Sequence, residues 1–156
     1  MENLFTLPFI LTALGMAGML LPACLGSALG VSLAGNALIG GLKKNPDMFG
    51  SGMILCALPS TQGLYGFGAF FLFLLNVSDM EVITLLQASL TFVSGLTLGL
   101  VGYYSAKWQA NLVSNGIVEI SNGQDVFGKT MILAVYPELY AILAFAGAFL
   151  VWVFVL

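Results

Sequence analysis

Charge is scarce in this chain. Asp, Glu, Lys and Arg make up 7% of its 156 residues, against roughly 25% in soluble domains, which excludes a water-soluble globular domain. The four basic residues are all lysines and form no basic run, so no nucleic-acid partner is expected. Cysteine is nearly missing as well. Cys24 and Cys56 both fall in apolar segments and read as small, inert packing residues with no disulfide framework. The chain has no glycine loop followed by Lys and Ser/Thr to cradle a nucleotide, so ATP hydrolysis is not expected here. The positive region of a signal peptide is lacking too. The only charge ahead of the lipoprotein-like "LPAC" (Leu21 to Cys24) is Glu2, and the apolar pattern runs on past Cys24, so no cleavage is expected.

What is present belongs to a bilayer. Hydrophobic residues make up 60% of the chain, mean hydropathy is +1.04 and there are 19 glycines; membrane helices tolerate glycine and use it to approach closely. Polar punctuation at "KKNPD" (Lys43 to Asp47), "NVSDME" (Asn76 to Glu81) and "EISNGQD" (Glu119 to Asp125) divides the chain into four apolar segments. Each can cross a hydrocarbon core of ~30 Å, which takes about 20 helical residues, and helices alone satisfy their backbone there. The predicted spans lie near 5–42, 49–75, 82–118 and 127–155. The first and third exceed what a bilayer needs and should project beyond it.

Shifting the chain by half its length, 78 residues, exposes an internal repeat. "DMFGSGMILCALPS" from Asp47 falls on "DVFGKTMILAVYPE" from Asp125 without a gap, with seven of fourteen positions identical. Ser27-Ala28 falls on Ser105-Ala106. The predicted fold is therefore all-α and integral to the membrane: four transmembrane helices as two tandem duplicated hairpins, residues 1–78 and 79–156. Lys43, Lys44 and Lys129 flank loops one and three, so the positive-inside rule puts those loops in the cytoplasm and both termini, with loop two, outside. Glycines four apart, Gly26 with Gly30 and Gly95 with Gly99, suit either packing within one bundle or the crowded inner layer of a multi-subunit ring.

One carboxylate breaks the pattern. Six of the seven acidic residues lie at termini, loops or helix ends, whereas Glu138 lies about ten residues into the fourth helix, roughly 15 Å from the loop. Ser60 stands at the matching position of the first hairpin, so only the second carries the acid. An acid at the bilayer centre costs ~2.5–3.5 kcal/mol, which makes a functional role the default; the plain alternative is a protonated acid bonded to a neighbouring helix. Gln109, Thr61 and Gln62 fall at similar depth, and Leu58, Thr61, Gln62 and Tyr65 share one helical face. Carboxylate, amide and hydroxyl oxygens are what a hard monovalent cation such as Na⁺ prefers. Pro59 and Pro137 lack an N–H and should free the carbonyls of Leu55 and Leu133. Distortion there also offers the Leu58 main-chain oxygen, and the Tyr65 hydroxyl can donate to the carboxylate. A proton site needs only the acid and an apolar wall, so the polar shell favours Na⁺, with H⁺ the alternative. Lys107, two residues before Gln109, falls on a different face and is expected to snorkel towards water or headgroups; a direct pairing with Glu138 is the other possibility.

"LPSTQGLYGF" (Leu58 to Phe67) together with "PELYAIL" (Pro137 to Leu143) resembles the membrane-rotor proteolipid, the K or c subunit, of bacterial V-type (V/A-type) ATPases. The similarity is strongest to the sodium-translocating branch and covers nearly the whole chain. It implies identical copies in a closed ring, turned by central-stalk subunits past a static membrane subunit that carries a cationic residue, in a bacterial plasma membrane. It also implies Glu138 as the ion-carrying carboxylate, a Na⁺ shell of the Leu58 main-chain oxygen, Thr61, Gln62, Gln109 and Glu138, and Tyr65 bonded to the carboxylate. "AKWQANLVSN" around Gln109 departs from the small-residue wording expected there. A free-standing small channel or transporter fits less well, because transporter repeats are often inverted and this one is parallel.

Overall fold

The computed structural model describes residues 6–80 and 82–156; Glu2, Glu81 and the expected helix start at 5 lie outside them. Helix α1 runs Leu7–Leu42, with Pro8 in its first turn, where no N–H is missed. A 3₁₀ turn at Pro46–Met48 leads into α2, Phe49–Ala57. A second 3₁₀ turn, Leu58–Ser60, separates α2 from α3, Thr61–Asp79. Helix α4 spans Leu85–Ser121 and α5 spans Phe127–Val155. Four helical stretches are long and apolar enough to cross a membrane, and all secondary structure among the described residues is helical.

The second span differs from expectation. The apolar pattern predicts one helix over 49–75, yet the span is broken at Leu58–Ser60 and continues to Asp79. Pro59 has no N–H for the Leu55 carbonyl, and the Leu58 N–H takes that carbonyl instead. The Leu55 oxygen is therefore not freed, and the chain tightens to i→i−3 bonding for one turn. Helix α4 begins at 85, not 82, because Thr84 and Gln87 close a capping box: Thr84 N–H donates to Gln87 Oε1 at 3.0 Å, and Gln87 N–H to Thr84 Oγ1 at 3.3 Å. It runs on to Ser121 and stops where Gly123 takes φ +87°.

Helices α1 and α4 make the most extensive contact in the chain. Their backbones touch through glycine: a methyl group on Gly95 would overlap Gly15, and one on Gly99 would overlap Gly18. One on Gly26 would lie 2.5 Å from the Tyr103 Cα. The glycine spacing thus serves packing within one chain. The α2–α3 span lies against α1, α5 lies against α4, and α3 meets α5, giving two layers. Loops one and three share one end of the bundle, where Lys44 Nζ donates to Asn122 Oδ1 at 3.2 Å. Those two residues occupy equivalent places in the repeat.

Two apolar clusters stack along the bundle. One joins Leu38, Met48, Leu55, Val113 and Ile117 near loops one and three; the other joins Met16, Met19, Phe73 and Leu98 towards the opposite end. Between them lies a polar band.

Candidate ion site at the bundle midplane

Three spans contribute to this band. Helix α3 carries Thr61, Gln62 and Tyr65 on one face, immediately after the Leu58–Ser60 turn. Helix α4 carries Gln109 and α5 carries Glu138. Pro137 leaves α5 continuous, so the counterpart of the proline at the break in the second span does not interrupt the fourth.

The side chains form one connected network. Tyr65 OH donates to Glu138 Oε1 at 2.9 Å, and Gln109 Nε2 donates to Glu138 Oε2 at 3.1 Å. Gln109 Nε2 also donates to the Ala134 carbonyl at 2.9 Å, and Gln109 Oε1 accepts from Gln62 Nε2 at 2.9 Å. At the far end the Thr61 hydroxyl lies 3.1 Å from the Leu58 carbonyl and 3.4 Å from Gln62 Oε1. The Leu58 oxygen also accepts the Thr61 N–H, so the 3₁₀ turn aims it at this cluster. Gln62 and Gln109 are fully buried and Glu138 is half-buried. All six residues singled out from the sequence are therefore in one network.

Ser105 belongs to the site although the sequence pattern does not assign it there. Its hydroxyl accepts from Gln62 Nε2 at 3.1 Å and donates to the Pro137 carbonyl at 2.7 Å, tying α3 to the start of the Glu138 turn. The one signal for it is the pairing of Ser27 with Ser105 in the repeat. Ser27 holds the matching place in the first hairpin, where its Oγ accepts the Gly63 N–H at 2.8 Å. Lys107 is exposed, and among the described residues no ion pair joins it to Glu138.

The donor set is a single carboxylate with neutral oxygens. Among the described residues no three His, Cys, Asp or Glu side chains gather as a metal cluster. One negative charge with amide, hydroxyl and carbonyl oxygens suits a hard monovalent cation better than a transition metal.

Comparison with known proteins places these features in context. The family profile of the ATP synthase C subunit matches twice, over residues 14–73 and 92–151, so the two copies begin one repeat length apart. Over 135 residues the chain is 35% identical to the A-type ATP synthase subunit K of Methanocaldococcus jannaschii, covering 86% of this chain and 58% of that protein. Over 143 residues it is 35% identical to the V-type sodium ATPase subunit K of Enterococcus hirae, covering 90% of this chain and 89% of that protein. The chain thus spans somewhat over half the length of the first relative and most of the second.

Proposed function

The chain belongs to the family of ATP synthase C subunits, and from that premise we propose that it is the ion-carrying rotor-ring subunit of a V-type ATPase membrane sector, with Na⁺ as its cargo. The observation that carries this reading is the unbroken network from Tyr65 through Glu138 and Gln109 to Gln62 and Thr61. It joins three membrane spans around one carboxylate. The ligands are Glu138, Gln109, Gln62, Thr61 and the Leu58 main-chain oxygen, with Tyr65 fixing the carboxylate.

The mechanism follows from charge. With Na⁺ bound the site is neutral and can travel along lipid. Emptied, Glu138 is a carboxylate at membrane depth, unfavourable by ~2.5–3.5 kcal/mol even on the lenient insertion scale, and a buried charge without its partner is costlier still. Release therefore belongs opposite a cationic residue of a static membrane subunit, and reloading belongs at an aqueous access path. Identical copies form the ring, and central-stalk subunits turn it with energy from ATP hydrolysed elsewhere. With one carboxylate per four spans the ring moves few ions per turn, which favours pumping against a steep gradient. The positive-inside rule, applied to Lys43, Lys44 and Lys129, supports loops one and three lying in the cytoplasm of a bacterial cell.

The support for Na⁺ over H⁺ is the shell of neutral oxygens beyond the carboxylate, together with the identity of the Enterococcus hirae relative as a sodium ATPase subunit. The test is carbodiimide labelling of the assembled membrane protein at fixed, mildly acidic pH, titrated with NaCl or KCl. Protection of Glu138 by Na⁺ and not K⁺ is expected. Labelling indifferent to Na⁺ makes the cargo a proton, and no labelling at Glu138 removes the rotor reading.

A further inference from the structure

An amide side chain offers oxygen at one end and nitrogen at the other, so a site built from two glutamines depends on which end points where. Two backbone carbonyls decide it here. A carbonyl oxygen only accepts, so the Gln109 atom 2.9 Å from the Ala134 oxygen is the nitrogen, and Gln109 Oε1 faces Gln62. Ser105 passes the same constraint to Gln62. Its hydrogen goes to the Pro137 carbonyl at 2.7 Å, which leaves the hydroxyl to accept, and it accepts from Gln62 Nε2 at 3.1 Å. Both Gln62 N–H groups are thereby engaged, one with Ser105 and one with Gln109 Oε1. The Gln62 oxygen lies on the other side, 3.4 Å from the Thr61 hydroxyl, which is itself 3.1 Å from the Leu58 carbonyl.

A single hydrogen bond to Gln109 would fix a distance and leave the amide free to pivot about it. Ser105 and Gln109 stand one helical turn apart on a single face of α4, and two acceptors so placed hold the amide plane. The backbone beside Gln62 is held from α1. Ser27 Oγ accepts the Gly63 N–H at 2.8 Å, and a methyl on Gly63 would lie 3.2 Å from that oxygen. Ser27 and Ser105 are the same residue one repeat apart, 7% and 2% exposed, and from two helices they close on one fully buried glutamine. The Glu138 carboxylate has other partners, Tyr65 and Gln109.

We infer that Ser105, assisted by Ser27, is a positioning residue that sets the ion preference of the site: by holding the Gln62 amide plane it keeps Oε1 grouped with Thr61 and the Leu58 oxygen, where a hard cation needs it and a proton does not. This deepens the sodium reading given above and rests on it. Proton affinity depends on the carboxylate and the groups that touch it, whereas Na⁺ affinity depends also on neutral oxygens converging beside it. Loss of the Ser105 hydroxyl strands a buried Gln62 N–H. Turning the amide relieves that N–H and takes the oxygen out of the group. The preference for Na⁺ over H⁺ then falls while the carboxylate keeps its own partners.

Carbodiimide labelling of the assembled membrane complex reads both affinities. Its pH profile in K⁺ buffer without Na⁺ follows protonation of Glu138, and Na⁺ protection at one fixed pH follows ion binding. Ser105→Ala is expected to raise the Na⁺ concentration for half-protection by about tenfold or more. The midpoint of its pH profile should stay within about 0.3 of a pH unit of the parent, a twofold change. Ser27→Ala, which acts through the backbone alone, should shift protection in the same direction by less. In a Gln62→Leu background, Ser105→Ala should change half-protection by less than about twofold, because the amide it holds is gone. Native gels establish that each variant assembles, and Ser105→Cys, with a weaker acceptor in the same place, carries the comparison if the alanine variant does not. Unchanged Na⁺ protection, a pH midpoint that moves in step with the protection curve, or a tenfold effect that persists without the Gln62 amide overturns the positioning role and leaves the sodium site standing. A parent protein whose labelling is indifferent to Na⁺ overturns the sodium reading and this inference together.

Discussion

Tyr65 and Glu138 lie 73 residues apart in sequence, and the phenol hydroxyl donates to the carboxylate at 2.9 Å. The pair joins the broken second span to the fourth. The Tyr65 ring is held from behind by Phe145, with centroids 6.0 Å apart, so the hydroxyl can be removed with little repacking. Hydrogen bonds to a charged group contribute about 1.5–3 kcal/mol. Tyr65→Phe should therefore leave the helical fold intact and raise the Na⁺ concentration that protects Glu138 from carbodiimide by roughly ten- to hundredfold. An unchanged protection curve would separate Tyr65 from ion binding.

Gln62 and Gln109 share their effect on that curve. Gln62 Nε2 donates to Gln109 Oε1, and Gln109 Nε2 continues to Glu138, so each orients the other. Gln62→Leu strands the Gln109 oxygen in a buried band, at about 1–3 kcal/mol, and Gln109→Leu removes the bond to Glu138. A double-mutant cycle on Na⁺ protection should show coupling of about 0.5–3 kcal/mol. Strict additivity would mean two unrelated amides at one depth.

Much of this site is visible in the sequence because polar atoms are conspicuous in an apolar frame. Glu138 has no neighbour of its own kind, and Gln62, Thr61, Tyr65 and Gln109 fall at its depth by counting alone. Ser105 is inconspicuous because a serine in a membrane helix commonly bonds its own backbone, as Ser32 does here to the Ala28 carbonyl. Its reach to Pro137 depends on how α4 and α5 meet. The break at Leu58–Ser60 is hidden for a different reason. Pro59 and Pro137 are equivalent in the repeat, yet only the first interrupts its helix, so proline alone does not decide the outcome. The start of α4 is legible as Thr84 followed three residues later by Gln87, a capping-box signature that outweighs the apolar count.

The glycines divide into two classes with opposite expected responses. Gly99→Ala drives a methyl into the Gly18 backbone, whereas nothing lies within 4 Å of a methyl added at Gly147. Overpacking costs typically about 1–3 kcal/mol, and substitutions in open space stay within about 0.5 kcal/mol. Thermal melts in detergent should therefore place Gly99→Ala well below the parent protein and Gly147→Ala beside it. Equal melting points would contradict the close approach of α1 and α4.

Lys107 is exposed on α4, while Gln109 two residues on is fully buried. If it only extends its charge towards a polar boundary, Lys107→Gln should leave the Na⁺ protection of Glu138 within about twofold, a free-energy change of about 0.4 kcal/mol. A shift of tenfold or more would mean that the ammonium reaches the carboxylate in the assembled ring.

The first hairpin offers the sharpest test of whether a carboxylate at the right depth is enough. Ser60 stands where Glu138 stands one repeat later, and its hydroxyl is occupied with the Ala57 carbonyl at 2.6 Å. Ser60→Glu would place an acid at the matching level, but its surroundings differ. The counterpart of Gln109 in the first half is Val31, and the counterparts of Gln62 and Tyr65 are Tyr140 and Leu143. None of these counterparts carries an amide to supply oxygen or to orient the carboxylate. A protein with Ser60→Glu and Glu138→Gln should therefore still assemble, since Ser60 is exposed, and its new acid should label with carbodiimide at a rate that Na⁺ does not alter. Sodium transport by the reconstituted complex should stay lost, as in Glu138→Gln alone. Restored Na⁺ protection or transport would show that depth and a proline turn suffice to make the site, and that the Gln62–Gln109 shell serves only to satisfy its own polar groups.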